Sequence, residues 1–248
     1  MHTDEAVHAV KFAELLEDGY YKYDPIEFHG PTLNYFTLIS AYLSGEKTFT
    51  EINEYTLRLV PAIISLMLIF FVLTLIDKNN FNLILIITLL LAFSPVVLFY
   101  SRYYIQEILL VTFTYSSVLT FYKYFQTKKK LWIISSAILI GLIFATKETS
   151  IITFFSATGA IIVLWVLNKD IRKSIHIKLV EILLFLFVFA LISALFYSSF
   201  FNNPSGIFDS ILTFGNYFNK AGNNIIHSKP WYYYLNLMLL TKNNLIFY

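Results

Sequence analysis

Four short stretches carry the side chains from which chemistry can be built. The first is His2-Thr3-Asp4-Glu5-Ala6-Val7-His8, where a helix opening at Thr3 or Asp4 puts Asp4 and His8 four residues apart on one face. The second is Ser101-Arg102-Tyr103-Tyr104-Ile105-Gln106-Glu107, the third Thr146-Lys147-Glu148-Thr149, and the fourth His227-Ser228-Lys229-Pro230-Trp231-Tyr232-Tyr233-Tyr234. Carboxylates at Asp4, Glu5, Glu107 and Glu148 suit a general base acting on a hydroxyl. Cations at Arg102, Lys147 and Lys229, with His8, His29 and His227, suit the charge that grows on a departing phosphate. Each stretch also has a plainer use. Acids in a first turn cap a helix, a Lys–Glu pair closes a tight turn, and Trp231 with its tyrosines anchors a helix at a membrane interface.

These residues stand out because the rest of the chain is so apolar. Of 248 residues 57% are hydrophobic and 14% charged, and the mean hydropathy is +0.65. A water-soluble domain is about 25% charged, so lipid must be the solvent for much of this chain. The absence of cysteine excludes disulfides and thiolate metal sites, and a net charge of +2 gives no case for nucleic acid. Ten of the 16 acids precede residue 55, so each later acid needs a reason.

Apolar runs at 56–76, 81–99, 106–122, 131–146, 149–167, 179–199 and 231–248 each approach the length of a spanning helix. The expectation is an all-α, polytopic transmembrane bundle: an exterior juxtamembrane segment over 1–54 and about seven spans over 55–248. Two short amphipathic helices are expected at 4–17 and 32–43, between turns at Asp18-Gly19, Asp24-Pro25 and His29-Gly30-Pro31. Alternate loops gather Lys78, then Lys123, Lys128, Lys129 and Lys130, then Lys169, Arg172, Lys173 and Lys178, against Asp77 and Asp170. This places them in the cytoplasm. Residues 1–55, 100–105, 147–148 and 200–230 then share the outer face of a multi-pass cell-membrane protein. With an acidic outer segment at one end and an apolar run at the other, the chain reads as a fragment lacking helices on both sides. Ionisable groups at an outer rim beside apolar walls suit transfer from a lipid phosphate. Transport would place them nearer the midplane on broken helices.

The ordered set Asp4-Glu5-Ala6-Val7-His8, Tyr23-Asp24-Pro25, His29-Gly30-Pro31, Arg58-Leu59-Val60-Pro61, Ser101-Arg102, Lys147-Glu148 and Pro230-Trp231-Tyr232-Tyr233-Tyr234-Leu235 resembles the GT-C integral-membrane glycosyltransferases. These include the protein O-mannosyltransferases and lipid A aminoarabinose transferases. The closest resemblance is to the mannosyltransferase-like, flippase activity-associated proteins of archaeal N-glycosylation loci. The resemblance implies a GT-C fold, a polyprenyl-phosphate-linked sugar donor, and a glycan, lipid or protein acceptor. It implies Asp4 as the base, with Glu5 and Glu107 as the other catalytic acids. Arg102, Lys147, His29 and His227 would hold the donor phosphate, supported by His8, Glu148 and Trp231. Some enzymes of this kind use a divalent cation. Asp4, Glu5, His8 and Glu107 are chemically suited to one, but no spacing assigns a metal ligand. A non-catalytic lipid-linked glycan transporter or accessory membrane protein is the alternative.

Overall fold

The computed structural model describes residues 2–26, 29–74, 80–168, 177–223, 230, 232 and 233. His227 and Trp231 lie outside the described residues, as do Lys229, Asp77, Asp170 and nearly all of the last apolar run. Among the described residues the fold is all-helical, without strands.

Two helices precede the apolar series. Helix α1 is Thr3–Asp18 and α2 is Thr32–Ser44, within a residue of the expected bounds. Gly19 and Gly45 end them in the left-handed conformation (φ 75° and 74°), which costs glycine nothing. The start of α1 is a capping box, in which the Glu5 carboxylate accepts from the His2 N–H.

The apolar series follows as α3 (Glu54–Leu73), α4 (Phe81–Ala92), α5 (Pro95–Tyr100), α6 (Glu107–Thr127), α7 (Lys130–Phe144), α8 (Ser150–Leu167) and α9 (Leu179–Tyr197). Helix α10 is Ser205–Asn223. By length and composition α3, α8 and α9 are able to cross a membrane; α4 and α7 are apolar but shorter. The run expected at 81–99 is divided. Ser94 caps α5 from its hydroxyl and Pro95 occupies the first turn, where its missing N–H is not needed.

The packing order runs α1–α2–α3–α6–α7–α9, with α10 against α9. Its main core joins Phe12, Leu33, Leu57, Ile64, Tyr104, Leu109 and Ile143, so the two amphipathic helices are seated directly on the bundle. A second cluster of Leu15, Tyr21, Tyr23, Ala145 and Tyr197 lies under the turn between α7 and α8. The outside is apolar. In α8 only Ser150 is buried, and α4 buries no residue. Helix α10 turns Phe208, Ile211 and Leu212 outward while Ser210 and Thr213 are buried, the reverse of a helix bathed in water. Such a surface fits lipid as the surrounding solvent.

Candidate active site

One end of the bundle collects three backbone segments: the start of α1, the 101–106 loop ahead of α6, and the 145–149 turn between α7 and α8. Each is held by a specific set of bonds.

Glu5 ties the first two together. It is 1% exposed and accepts four N–H bonds. Arg58 donates from Nε to Oε1 (3.0 Å) and from Nη2 to Oε2 (2.9 Å), while the backbone N–H groups of Tyr104 and His2 supply the others at 3.0 and 2.9 Å. Burial pushes its carboxyl up. The Arg58 hydrogen bonds, the two backbone bonds and the Arg58 charge outweigh this and hold it at about 2. Glu5, expected as a catalytic acid, thus has both oxygens held by donors. These bonds fix the N-terminus of α1 against α3 and the 101–106 loop. Arg58 was quoted in the sequence only as part of a motif. Its signal was a lone arginine entering an apolar span, where charge is costly without a partner.

The neighbouring acid stays available. Asp4 is exposed, 3.8 Å from His2 Nδ1, and accepts from the Tyr103 hydroxyl at 3.3 Å. Tyr103 also meets His2 Nδ1. Burial and the adjacent Asp4 charge push the Tyr103 hydroxyl up to about 12, so it remains protonated and able to donate. Arg102 is exposed beside it. With Arg58, Leu98, Phe99 and Tyr103 it lines an open groove of about 380 Å³. Among the described residues no acid pairs with the Arg102 guanidinium.

The turn after α7 is docked from the other side. Gly30 lies so close to it that an added Cβ would stand 2.2 Å from the Ala145 carbonyl oxygen. Thr32 then donates its N–H to Ala145 O (3.3 Å) and its hydroxyl to Thr146 Oγ1 (2.8 Å). The contact accounts for glycine in His29-Gly30-Pro31. Lys147 and Glu148 reach toward different elements. Lys147 reaches Glu107 Oε1 at 2.6 Å, and Glu148, 4% exposed, accepts from the Tyr23 hydroxyl and lies 2.7 Å from His29 Nδ1. The second Glu107 oxygen is buried and has no hydrogen-bond partner among the described residues. Glu107 also lines an apolar cavity of about 190 Å³ with Leu68, Val96, Val97, Tyr100, Ile108 and Val111 of α3, α5 and α6.

His8 stands between these groups. Its ring lies 5.9 Å from that of His29, and its Nδ1 is 3.3 Å from the buried Gln106 amide nitrogen. Burial first, then the His29 and Lys147 charges, push His8 down to about 4 against the pull of Glu107 and Asp4. It is therefore neutral at pH 7. Lys147 thus meets Glu107, His29 meets Glu148 and lies beside His8, and Asp4 meets Tyr103. Tyr23, Tyr103, Tyr104 and Gln106 take part without having been singled out; in a chain with 18 tyrosines none carried its own signal.

The ligand set considered for a divalent cation does not converge. Glu5 is spent on Arg58, and among the described residues no three His, Asp or Glu side chains are arranged to hold a metal ion.

Residues 32–203, the greater part of the chain, match the family model described as dolichyl-phosphate-mannose-protein mannosyltransferase. No curated protein and no solved structure matches the chain.

Proposed function

The chain belongs to the dolichyl-phosphate-mannose-protein mannosyltransferase family, membrane glycosyltransferases with lipid-linked donors, and we propose that it transfers a sugar at the outer face of the membrane with Asp4, which precedes the matched residues 32–203, as its base. The observation that carries this reading is the separation of the two neighbouring acids. Glu5 is buried and saturated, while Asp4, one residue away on the same anchored turn, faces outward beside Tyr103.

The donor is a polyprenyl-phosphate-linked sugar. The cavity beside Glu107 offers its chain an apolar wall, and Glu107, one of its lining residues, also pairs with Lys147. Lys147, Arg102 and His29 supply positive charge or N–H donors to the phosphate, at a rim where low dielectric strengthens each contact. Glu107 orders the Lys147 ammonium for that contact through their 2.6 Å pair. Asp4 takes the acceptor proton as the acceptor oxygen attacks the anomeric carbon opposite the phosphate, so the product is inverted. Tyr103, with its proton retained, keeps Asp4 oriented. The ordered motifs support membership of the flippase activity-associated branch, with a glycan, lipid or protein as acceptor.

The test uses membranes containing the protein and dolichyl phosphate carrying tritiated mannose. Transfer of label to endogenous acceptors with release of lipid phosphate is expected. Movement of intact labelled lipid between leaflets, with no glycosidic bond formed, would establish the transporter reading instead.

A further inference from the structure

A buried chain of hydrogen bonds crosses the fold and ends on a site imidazole. Thr213 of α10 meets the Tyr23 hydroxyl at 2.7 Å, Tyr23 donates to Glu148 Oε1 at 3.0 Å, and Glu148 Oε2 lies 2.7 Å from His29 Nδ1. An ionised carboxylate accepts only, so the proton of the last contact sits on His29 Nδ1. The ring is fixed from its backbone as well, because the Tyr21 hydroxyl donates to the His29 carbonyl at 3.1 Å and Gly30 is wedged against Ala145. Its other nitrogen, Nε2, makes no hydrogen bond among the described residues. The two residues of the 147–148 pair thus diverge, Lys147 to Glu107 and Glu148 to His29, and bring a point charge and an oriented imidazole to one turn.

We propose that His29, oriented by Glu148, is the general acid that protonates the leaving lipid phosphate. The proposal rests on the transfer reaction above. As the acceptor oxygen bonds to the anomeric carbon, the bond from that carbon to the phosphate oxygen breaks and its electron pair stays with the oxygen. That oxygen takes the proton from His29 Nε2, and Asp4 takes the acceptor's proton. Exchange with water then restores both groups, so one proton is delivered and one collected in each turnover. The match is chemical. Imidazole is among the side chains that most often donate a proton to a leaving oxygen. Lys147 supplies a compact positive charge to the phosphate. Glu148 is a positioning residue, acting only through His29.

Among the described residues, the charged and titratable groups on the elements packed about His29 are His8 from α1, Tyr21 and Tyr23 from its own segment, Glu148 and Lys147 from the turn, and Glu107 from α6. The test is therefore a pH profile of kcat and of the donor KM, measured in membranes with tritiated dolichyl-phosphate mannose and endogenous acceptors. Wild type is expected to lose kcat on the alkaline side as His29 loses its proton. His29→Gln is expected to abolish that limb, to lower kcat about 10²-fold and to raise the donor KM, since His29 also contacts the phosphate. Glu148→Gln is expected to move the limb to lower pH, and Tyr23→Phe to leave it in place.

A donor bearing a less basic phosphorothioate leaving group provides a check on unmodified protein, in which the alkaline limb should flatten. An alkaline limb retained in His29→Gln, or insensitive to the phosphorothioate, overturns the assignment. Transfer by wild type without any alkaline limb also overturns it and leaves the transfer reaction standing; no transfer at any pH overturns both.

Discussion

Replacing Glu5 by glutamine keeps the shape of the side chain and removes half of its accepting capacity. In the native structure each oxygen takes two N–H donors, His2 and Arg58 on Oε2, Tyr104 and Arg58 on Oε1. A glutamine amide offers one oxygen, so two donors face an NH₂ group. A buried donor left unsatisfied costs about 1–3 kcal/mol. Arg58 is 36% exposed at its side chain and already contacts Glu54 at 2.8 Å, so it recovers part of the loss through water and Glu54. The expected destabilisation is therefore ~3 kcal/mol, towards the lower end of the sum for two donors. The functional effect is larger, because Asp4 rides on the same turn. A displacement on the order of 1 Å from the reacting geometry costs about 10²-fold in rate. The assay is thermal unfolding in detergent together with sugar transfer, with Glu5→Asp as the variant that keeps the charge. Glu5→Gln with native thermal stability and full transfer would refute the view that this ion pair holds the catalytic turn.

Gly30→Ala is expected to destabilise the protein by about 1–3 kcal/mol and to impair transfer, since its methyl group has no room beside Ala145; unfolding and activity measured together check this. Lys147→Met is expected to raise the donor KM more than it changes stability, because it removes a phosphate contact while leaving Glu107 near the surface of the rim; the readout is the donor concentration dependence of transfer. Acid should weaken the fold below neutrality. His8 sits at about 4 against an ordinary 6.5, so its contribution is present above 6.5 and is lost as pH falls towards 4, by up to ~3 kcal/mol. Glu5, at about 2, adds a further loss only below about 4.5. Unfolding midpoints at pH 7, 5.5 and 4, compared with those of His8→Asn, test the first of these steps.

Much of the framework was legible in the sequence because local chemistry decides it. Gly19 and Gly45 stop α1 and α2 through their left-handed φ, Asn53 caps α3 from its side chain, and the apolar runs leave little choice but helices in lipid. The break at Ser94-Pro95 was written in the chain as well, yet the hydropathy of 81–99 conceals it. Partner choice was not legible. Lys147 and Glu148 look like a pair because they are adjacent, but α6 brings Glu107 to one and the 21–30 segment brings His29 and Tyr23 to the other. Asp4 and Glu5 look equivalent for the same reason. Their roles divide only because α3 presents Arg58 and the 101–106 loop presents the Tyr104 N–H to Glu5 alone.

The central claim is that Asp4 is the base, and the most direct measurement is the turnover of Asp4→Asn with a lipid-linked mannose donor. Asparagine retains the size of the side chain and its capacity to accept from Tyr103, but it cannot take a proton. The account predicts a loss of kcat of about 10²-fold or more, with donor KM and thermal stability close to wild type. Wild-type turnover in Asp4→Asn would contradict it.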